Sequence, residues 1–346
     1  MLAVLEPPVG AERAQERLLE EVVGPIAART ASQEREHNAR VGLVEPLEWR
    51  DSGAGHRALK RTLASRCEVM KVAVVGHVEW VEFARVDHTP EPGEIVPALE
   101  TWEEAAGGGA VAAVQLANLA GSCLFFTALA DDELGHRSRE ELEARGVTVH
   151  AGHARGTQRR AFTHVDEGGE RTITVLGEKH RASGEDGSLP WEELGRCDAV
   201  YFVCGDVAAL RAARHCPVLV AAARELPNLR RGGVQLDVLV GSGEDAAERF
   251  EAGELEPEPQ IVVTTAAGLG GWIRPGGPFR AATPPGPVSD AYGCGDCFAA
   301  GLTYGLALGK PVDEAVALGA QCGAAVLTGR GAYGHQLTAE DVQAEF

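Results

Sequence analysis

From residue 70 onward, short apolar runs alternate with longer segments of helical spacing. Val72–Val75 and the runs at 123–129, 199–203, 218–221, 238–240 and 261–264 are brief and almost continuously apolar. Strands of a parallel sheet buried on both faces read this way. Segments 110–119, 137–145, 296–308 and 313–327 repeat apolar residues every three or four positions, which predicts helices with one buried face. The alternation predicts an α/β domain around a mostly parallel central sheet. One segment departs from it. Arg160–Val165 and Arg171–Leu176 flank Asp166-Glu-Gly-Gly-Glu170, the pattern of a β-hairpin. Inserted between sheet-forming units, such a hairpin is either a lid over the carboxyl edge of the sheet, where open α/β sheets bind ligands, or an ordinary edge hairpin.

Residues 1–69 follow another pattern. Positions 11–26 fit an amphipathic helix through Leu18, Leu19, Val22, Val23 and Ile26, and a charged, pattern-poor stretch follows. Met70, the second and last methionine, directly precedes the strand Lys71-Val-Ala-Val-Val-Gly76. Two readings stand: an N-terminal extension of unknown role before a domain at 70–346, or translation that starts at Met70. The intact mass of the native protein separates them.

Composition narrows the partners. A length of 346 residues with 45% hydrophobic content suits a sizeable core. The formal net charge of −19 argues against nucleic acid and anionic membranes, which select basic surfaces. There is no apolar run of about 18 residues to span a membrane, and the first residues lack the pattern of a secretory signal. The eight cysteines sit mostly in apolar contexts, where reduced thiols act as small hydrophobes. Together these features predict a cytoplasmic protein.

The densest chemistry lies in Asp290-Ala-Tyr-Gly-Cys-Gly-Asp296, followed by Cys-Phe-Ala-Ala-Gly301. A glycine-rich turn feeding a helix start aims unpaired amides and the positive dipole end at an anion. Asp296 beside such a site is placed to take a hydroxyl proton while the amides hold a phosphoryl group. A second glycine turn opens the small-residue helix Gly107-Gly-Gly-Ala-Val-Ala-Ala-Val-Gln-Leu-Ala-Asn-Leu-Ala-Gly121, where backbone can approach a polyhydroxyl ligand closely.

With these two motifs the chain, from Met70 to its C-terminus, resembles the ribokinase-like PfkB family of carbohydrate kinases. The first motif resembles the family's Asp-Thr-x-Gly-Ala-Gly-Asp signature, with Ala291 and Cys294 standing where the family has Thr and Ala. The second resembles its Gly-Gly helix, with Ala112 where many sugar kinases carry Asn. The resemblance implies a three-layer ribokinase-like fold with a small β lid around 92–99 and 160–176. It also implies transfer of the γ-phosphoryl of ATP to a hydroxyl of a small sugar or sugar-like substrate. Asp296 would be the general base and the amides of Gly293, Cys294 and Gly295 the anion hole. ATP and Mg²⁺ follow as cofactors, with a monovalent cation as a further candidate and a homodimer through the lid as a candidate assembly.

Other segments extend the likeness. Ala128-Leu-Ala-Asp-Asp132-Glu-Leu-Gly135 resembles a family segment after the second sheet strand. Ile261-Val-Val-Thr-Thr265, with Gly270 and Gly271 beyond it, resembles the strand and loop along the nucleotide. Ser242 and Asp245 keep the spacing of the family's Asn-x-x-Glu pair near the metal and phosphates. By this likeness Thr265, Gly270, Ser242 and Asp245 face the nucleotide, with adenine near the helix of Gln321, Cys322 and Ala325. Gly107, Gly108, Glu79, Asp290 and Arg160 face the substrate.

Three rival readings were weighed. Cys294-Gly-Asp-Cys297 invites a redox or zinc role, but no second Cys or His pair stands at ligand spacing. A dinucleotide site needs Gly-x-Gly-x-x-Gly after the first strand, and this chain has Gly76-His-Val-Glu-Trp80 there. The rival of another class is a catalytically degenerate sugar- or nucleotide-binding protein on the same fold, against which retention of Asp296 argues.

Overall fold

A computed structural model describes residues 70–344; the expected helix at 11–26 and the rest of 1–69 lie outside the described residues. The first seven strands are β1 (Val72–Val75), β2 (Glu79–Arg85), β3 (Glu100–Ala106), β4 (Cys123–Ala130), β5 (Val147–Ala154), β6 (Arg160–Val165) and β7 (Arg171–Leu176). The others are β8 (Ala199–Phe202), β9 (Val218–Ala222), β10 (Val238–Ser242), β11 (Ile261–Thr265), β12 (Gly271–Arg274) and β13 (Pro278–Phe279). Helices α1 (Gly108–Ala120), α2 (Glu133–Ala144), α3 (Val207–Ala213) and α4 (Leu226–Gly232) come first. After them come α5 (Cys294–Ala307), α6 (Val312–Val326) and α7 (Ala339–Ala344).

Nine strands form the central sheet in the order β13-β12-β11-β10-β9-β8-β1-β4-β5. Pairing is parallel from β5 through β11, and the two outer pairings, β11 with β12 and β12 with β13, are antiparallel. The chain builds outward from β1 through β4 to β5, then returns to β8 and builds the other way. That reversal puts a crevice at the carboxyl ends of β1 and β8, the place where open α/β sheets take ligands.

Alternation along β1 shows why three layers form. Val72 and Val74 pack in one core with residues of α1, α5 and α6. Ala73 and Val75 pack in another with Leu194, Leu210 and Leu229. A strand apolar at every position buries both faces, so each face needs its own helical layer.

The hairpin of β6 and β7 belongs to a second, four-stranded sheet, ordered β3-β2-β6-β7. Strand β2 pairs in parallel with β6, Trp80 opposite Arg160, and antiparallel with β3. This sheet is the small β lid. Its root is apolar: Phe83 stacks on Trp102 with centroids 4.8 Å apart and meets the edge of Tyr292 at 5.0 Å. All six residues of β7, by contrast, are exposed. The 92–99 segment, expected within the lid, is a loop without strand structure, with Ile95 and Leu99 exposed. The lid strands flanking it, β2 and β3, carry Glu79, Glu82, Glu103 and Glu104, which obscures their apolar alternation.

Helices α5 and α6 approach at backbone distance. A Cβ on Gly301 would lie 2.7 Å from Cys322 Sγ and 3.0 Å from Gly319 Cα, and one on Gly305 would lie 2.8 Å from Ala315 Cα. Gly301→Val is therefore expected to destabilise the protein by about 2–3 kcal/mol, the upper range for overpacking, because backbone is among the obstacles. The check is the denaturant midpoint at unchanged slope; a variant as stable as the parent would contradict this packing.

Candidate active site

Two glycine turns meet at the carboxyl end of β1. A Cβ on Gly76 would lie 2.5 Å from Gly109 Cα, and a Cβ on Gly109 would lie 2.6 Å from the amide nitrogen of His77. The start of α1 is thus pressed onto the end of β1, which only glycine on both sides permits. Gly107 caps α1 with φ 87°, and its N–H donates to Tyr292 Oη at 3.2 Å. One turn is in this way tied to the other.

Gly293 turns the chain into α5 with φ 79°, and no side chain caps that helix. The first ladder bond runs from Cys297 N–H to Gly293 O at 2.9 Å, so the amides of Cys294, Gly295 and Asp296 precede the ladder. A Cβ on Gly295 would meet no heavy atom within 4 Å; the space beside this first turn is open. An uncapped helix start with open space in front of it has the geometry that can receive an anion.

Asp296 is the third residue of α5 and half-buried. A Cβ on Gly108 would lie 2.6 Å from Asp296 Oδ1, so the carboxylate rests against the backbone of the other turn. Burial is the main cause that pushes the Asp296 carboxyl up to about 6; Glu248 and Glu79 add to the rise, while Arg171 and Arg224 oppose it. A carboxylate near neutrality in its proton affinity is suited to general-base work.

Glu79 begins β2 and is 7% exposed. Arg159 Nε lies 2.7 Å from Glu79 Oε1, a close ion pair whose N–H is not aligned for a hydrogen bond, and His77 Nε2 lies 3.7 Å away. A Cβ on Gly107 would be 3.2 Å from Glu79 Cγ and 3.4 Å from His77 Cδ2. Burial raises the Glu79 carboxyl against the pull of Arg159 and Lys179. Burial, with Lys179, Arg159, Arg181 and Arg224 nearby, holds the His77 imidazole well below its usual range, so it is neutral near pH 7.

On the other side of the crevice β10 and β11 end together, Ser242 opposite Thr265. The Ser242 hydroxyl accepts from the amides of Glu244 and Asp245 at 3.2 and 3.3 Å, and Thr265 Oγ1 donates to Gly241 O at 3.4 Å. Arg224 lies 2.6 Å from Asp245 Oδ2 and 2.5 Å from Glu248 Oε1. Among the described residues no group of three or more His, Cys, Asp or Glu side chains is disposed to hold a metal ion. Asp245 and Glu248 are both engaged by Arg224 and by backbone amides, so Mg²⁺ arriving on nucleotide phosphates with most of its waters would have to share or displace these contacts.

Several expected residues play other parts. Asp290 is 0% exposed, and its two oxygens accept from the amides of Tyr292 at 2.9 Å and Gly331 at 3.0 Å, which shapes the loop. Gly270 is buried in the β11–β12 turn with φ 97°, its N–H donating to Ala267 O and its carbonyl accepting from Ala266. That backbone is engaged within the turn itself. Arg160 is exposed and lies 2.9 Å from Glu82 Oε1, so the guanidinium beside Glu79 belongs to Arg159. Cys322 and Ala325 are buried. Burial raises the thiols of Cys294 and Cys297, so neither is offered as a thiolate.

Other residues enter the site unannounced by the sequence. Arg171, at the start of β7, acts electrostatically on Asp296, Cys294 and Tyr292. Arg224 and Glu248 do the same from behind β9 and β10. Their only sequence signal was a charge at the edge of a predicted strand or in a loop after one.

No curated protein matches the chain significantly. Solved structures of similar fold include the ribokinase of Thermotoga maritima, 22% identical at a TM-score of 0.64 over 80% of this chain and 98% of that one. The adenosine kinase of Sinorhizobium meliloti is 20% identical at 0.65, covering 80% and 99%. The ribokinase of Arabidopsis thaliana, solved with ribose and ATP, is 17% identical at 0.61, covering 80% and 98%. At these identities the likeness is one of fold. The sequence profile of the pfkB family of carbohydrate kinases matches residues 69–213 and 209–339, nearly the whole described region with both glycine turns and Asp296, and the chain belongs to that family.

Proposed function

We propose that this protein transfers the γ-phosphoryl group of ATP to a hydroxyl of a small sugar or sugar-like alcohol. The observation that carries the reading is the placement of Asp296: a carboxylate raised to about 6, in the first turn of an uncapped helix, against the backbone of Gly108. In this reading Asp296 accepts the hydroxyl proton as the alcohol oxygen forms its bond to phosphorus and the bond to the ADP leaving oxygen breaks. The amides of Gly293, Cys294 and Gly295 hold the charge spread over the transferring oxygens, with Arg171 and Arg224 adding positive potential. Ser242, Thr265 and Asp245 border the nucleotide phosphates, and Mg²⁺ bound to those phosphates would supply charge neutralisation. Closure of the lid would bring Arg171 in and exclude water.

Asp296→Asn is expected to lower kcat by about 10²–10⁴-fold, the scale for loss of a general base, with ATP binding retained. An ATP-dependent screen across sugars, polyols and nucleosides with this variant as control tests it. Tight sugar binding without turnover in the parent would favour the degenerate binder.

Activity should rise with pH through about 6, because the base must be deprotonated, and level off above. Glu248→Gln removes a carboxylate that raises Asp296 and frees Arg224, which lowers it, so the acid limb of kcat/KM should move to lower pH. An unmoved limb would assign it to another group.

Gly108→Ala places a methyl on Asp296 Oδ1. Since the carboxylate can swing aside, the fold should persist with an unchanged melting temperature, while kcat falls about 10²-fold from misplacing the base by roughly 1 Å.

A further inference from the structure

Beside Glu79 and His77 lies a group of basic side chains, Arg159, Arg181 and Lys179, of which the two arginines pair with Glu79 and Glu225. Cys204 follows β8 and donates its amide to Val75 O at 3.2 Å, which places it at the shared carboxyl end of β1 and β8. Its thiol lies 3.4 Å from an Arg181 guanidinium nitrogen and 3.8 Å from His180 O. Arg159 joins from β6 through Glu79. Lys179, next to His180 and half-buried, makes no ion pair among the described residues, yet it is the foremost cationic influence on His77 and also acts on Glu79 and Cys204.

Two buried ring nitrogens lack partners in the same place. His77 is 7% exposed and His180 9%, and Nδ1 of each has no hydrogen-bond partner among the described residues. A buried polar atom left unpaired is costly, so its presence points to a partner brought by a ligand. Arg181 continues the positive wall into a cavity of about 290 Å³ that it lines with Arg224 and Arg231. The carboxylates there are already used: Glu225 by Arg181 and Asn228, Asp206 by capping α3.

The cations act at two places. Arg171 and Arg224 are those acting most on Asp296, where the phosphoryl group transfers. Lys179, Arg159, Arg181 and Arg224 all reach His77, and Lys179 and Arg159 also reach Glu79, where the acceptor sits. Arg159 is answered by Glu79 and Arg181 by Glu225, so the surplus positive charge is that of Lys179, and on a chain of net charge −19 a half-buried, unanswered ammonium selects an anion.

We propose that the acceptor alcohol carries a negatively charged group, a carboxylate or a phosphate, held by Lys179 with Arg159 and Arg181. Glu79, its charge answered by Arg159, and the neutral His77 and His180 take the acceptor's hydroxyls. The proposal rests on the kinase reading and narrows its substrate class.

The test uses the full chain with Mg·ATP and matched acceptors: ribose, glucose and fructose against ribonate, gluconate and fructose 6-phosphate. An anionic acceptor should exceed its neutral counterpart in kcat/KM by about tenfold or more, the scale of one charge-assisted contact. The carboxylate and phosphate arms identify the group. Lys179→Gln should raise KM for that acceptor by a similar factor and remove its advantage, leave KM for ATP unmoved, and be rescued by Lys179→Arg.

Neutral sugars used as well or better would overturn the proposal while the kinase reading stands. So would a Lys179→Gln effect confined to KM for ATP, which would assign the cluster to the nucleotide. If no acceptor consumes ATP, the kinase reading falls, and direct titration of the same six compounds decides the anion preference. Tighter binding of an anion, lost in Lys179→Gln, sustains it; equal or absent binding refutes it.

Discussion

The close approach of α1 to the end of β1 is the constraint on which the rest of the site depends. Gly76 and Gly109 meet where neither could carry a side chain, and His77 turns away from the same point. This contact sets the height of the Gly107–Gly108 turn above the sheet, and Asp296 rests on that turn. A bulkier residue at any of these positions would lift α1 and open the gap between base and acceptor. Small residues are used here for distance, and the chemistry follows from the distance.

The motif that carries Asp296 is held as firmly. Tyr292 is buried between Phe83 of the lid and the Gly107 amide. Asp290 spends both oxygens on backbone amides, one of them at Gly331 near the C-terminus. The loop from 290 to 293 is therefore held from three directions before α5 begins. A helix start fixed in this way, with no side-chain cap, keeps its amides aimed without reorganisation when charge develops in front of them. Gly301, Gly305 and Gly319 let α6 brace α5 from behind at backbone distance.

The parts of the site that read plainly from sequence were those built from local rules. A glycine turn before a helix, a carboxylate in its first turn and short apolar runs each require only a few neighbouring residues. Asp296 and the lid hairpin were within reach on that basis. Glu79 was as well, though its face was not. What the sequence hides are contacts with distant partners. An oxygen of Asp290 accepts from the amide of Gly331, 41 positions away. Arg160 and Arg159 are indistinguishable until the register of β2 and β6 sets one against Glu82 and the other against Glu79. The turn of Gly270 is pressed onto β13, where a Cβ on Gly270 would overlap Phe279 O, a packing that no sequence neighbour announces.

By itself the sequence determined the layered α/β architecture and marked the glycine-led start of α5 with the carboxylate of Asp296 in its first turn. Those follow from periodicity and from backbone chemistry within a single turn. Only the tertiary structure decided how charge is distributed around them. It brought Arg171 from the lid, Arg224 from behind β9 and Glu248 from behind β10 to act on one carboxylate. It gathered Lys179, His180 and Arg181 with His77 at the ends of two strands more than a hundred residues apart in the chain. Electrostatic environment and burial arise from the folded surround, to which sequence neighbours contribute little, and so the proton affinity of Asp296 and the character of the acceptor pocket had to await the fold.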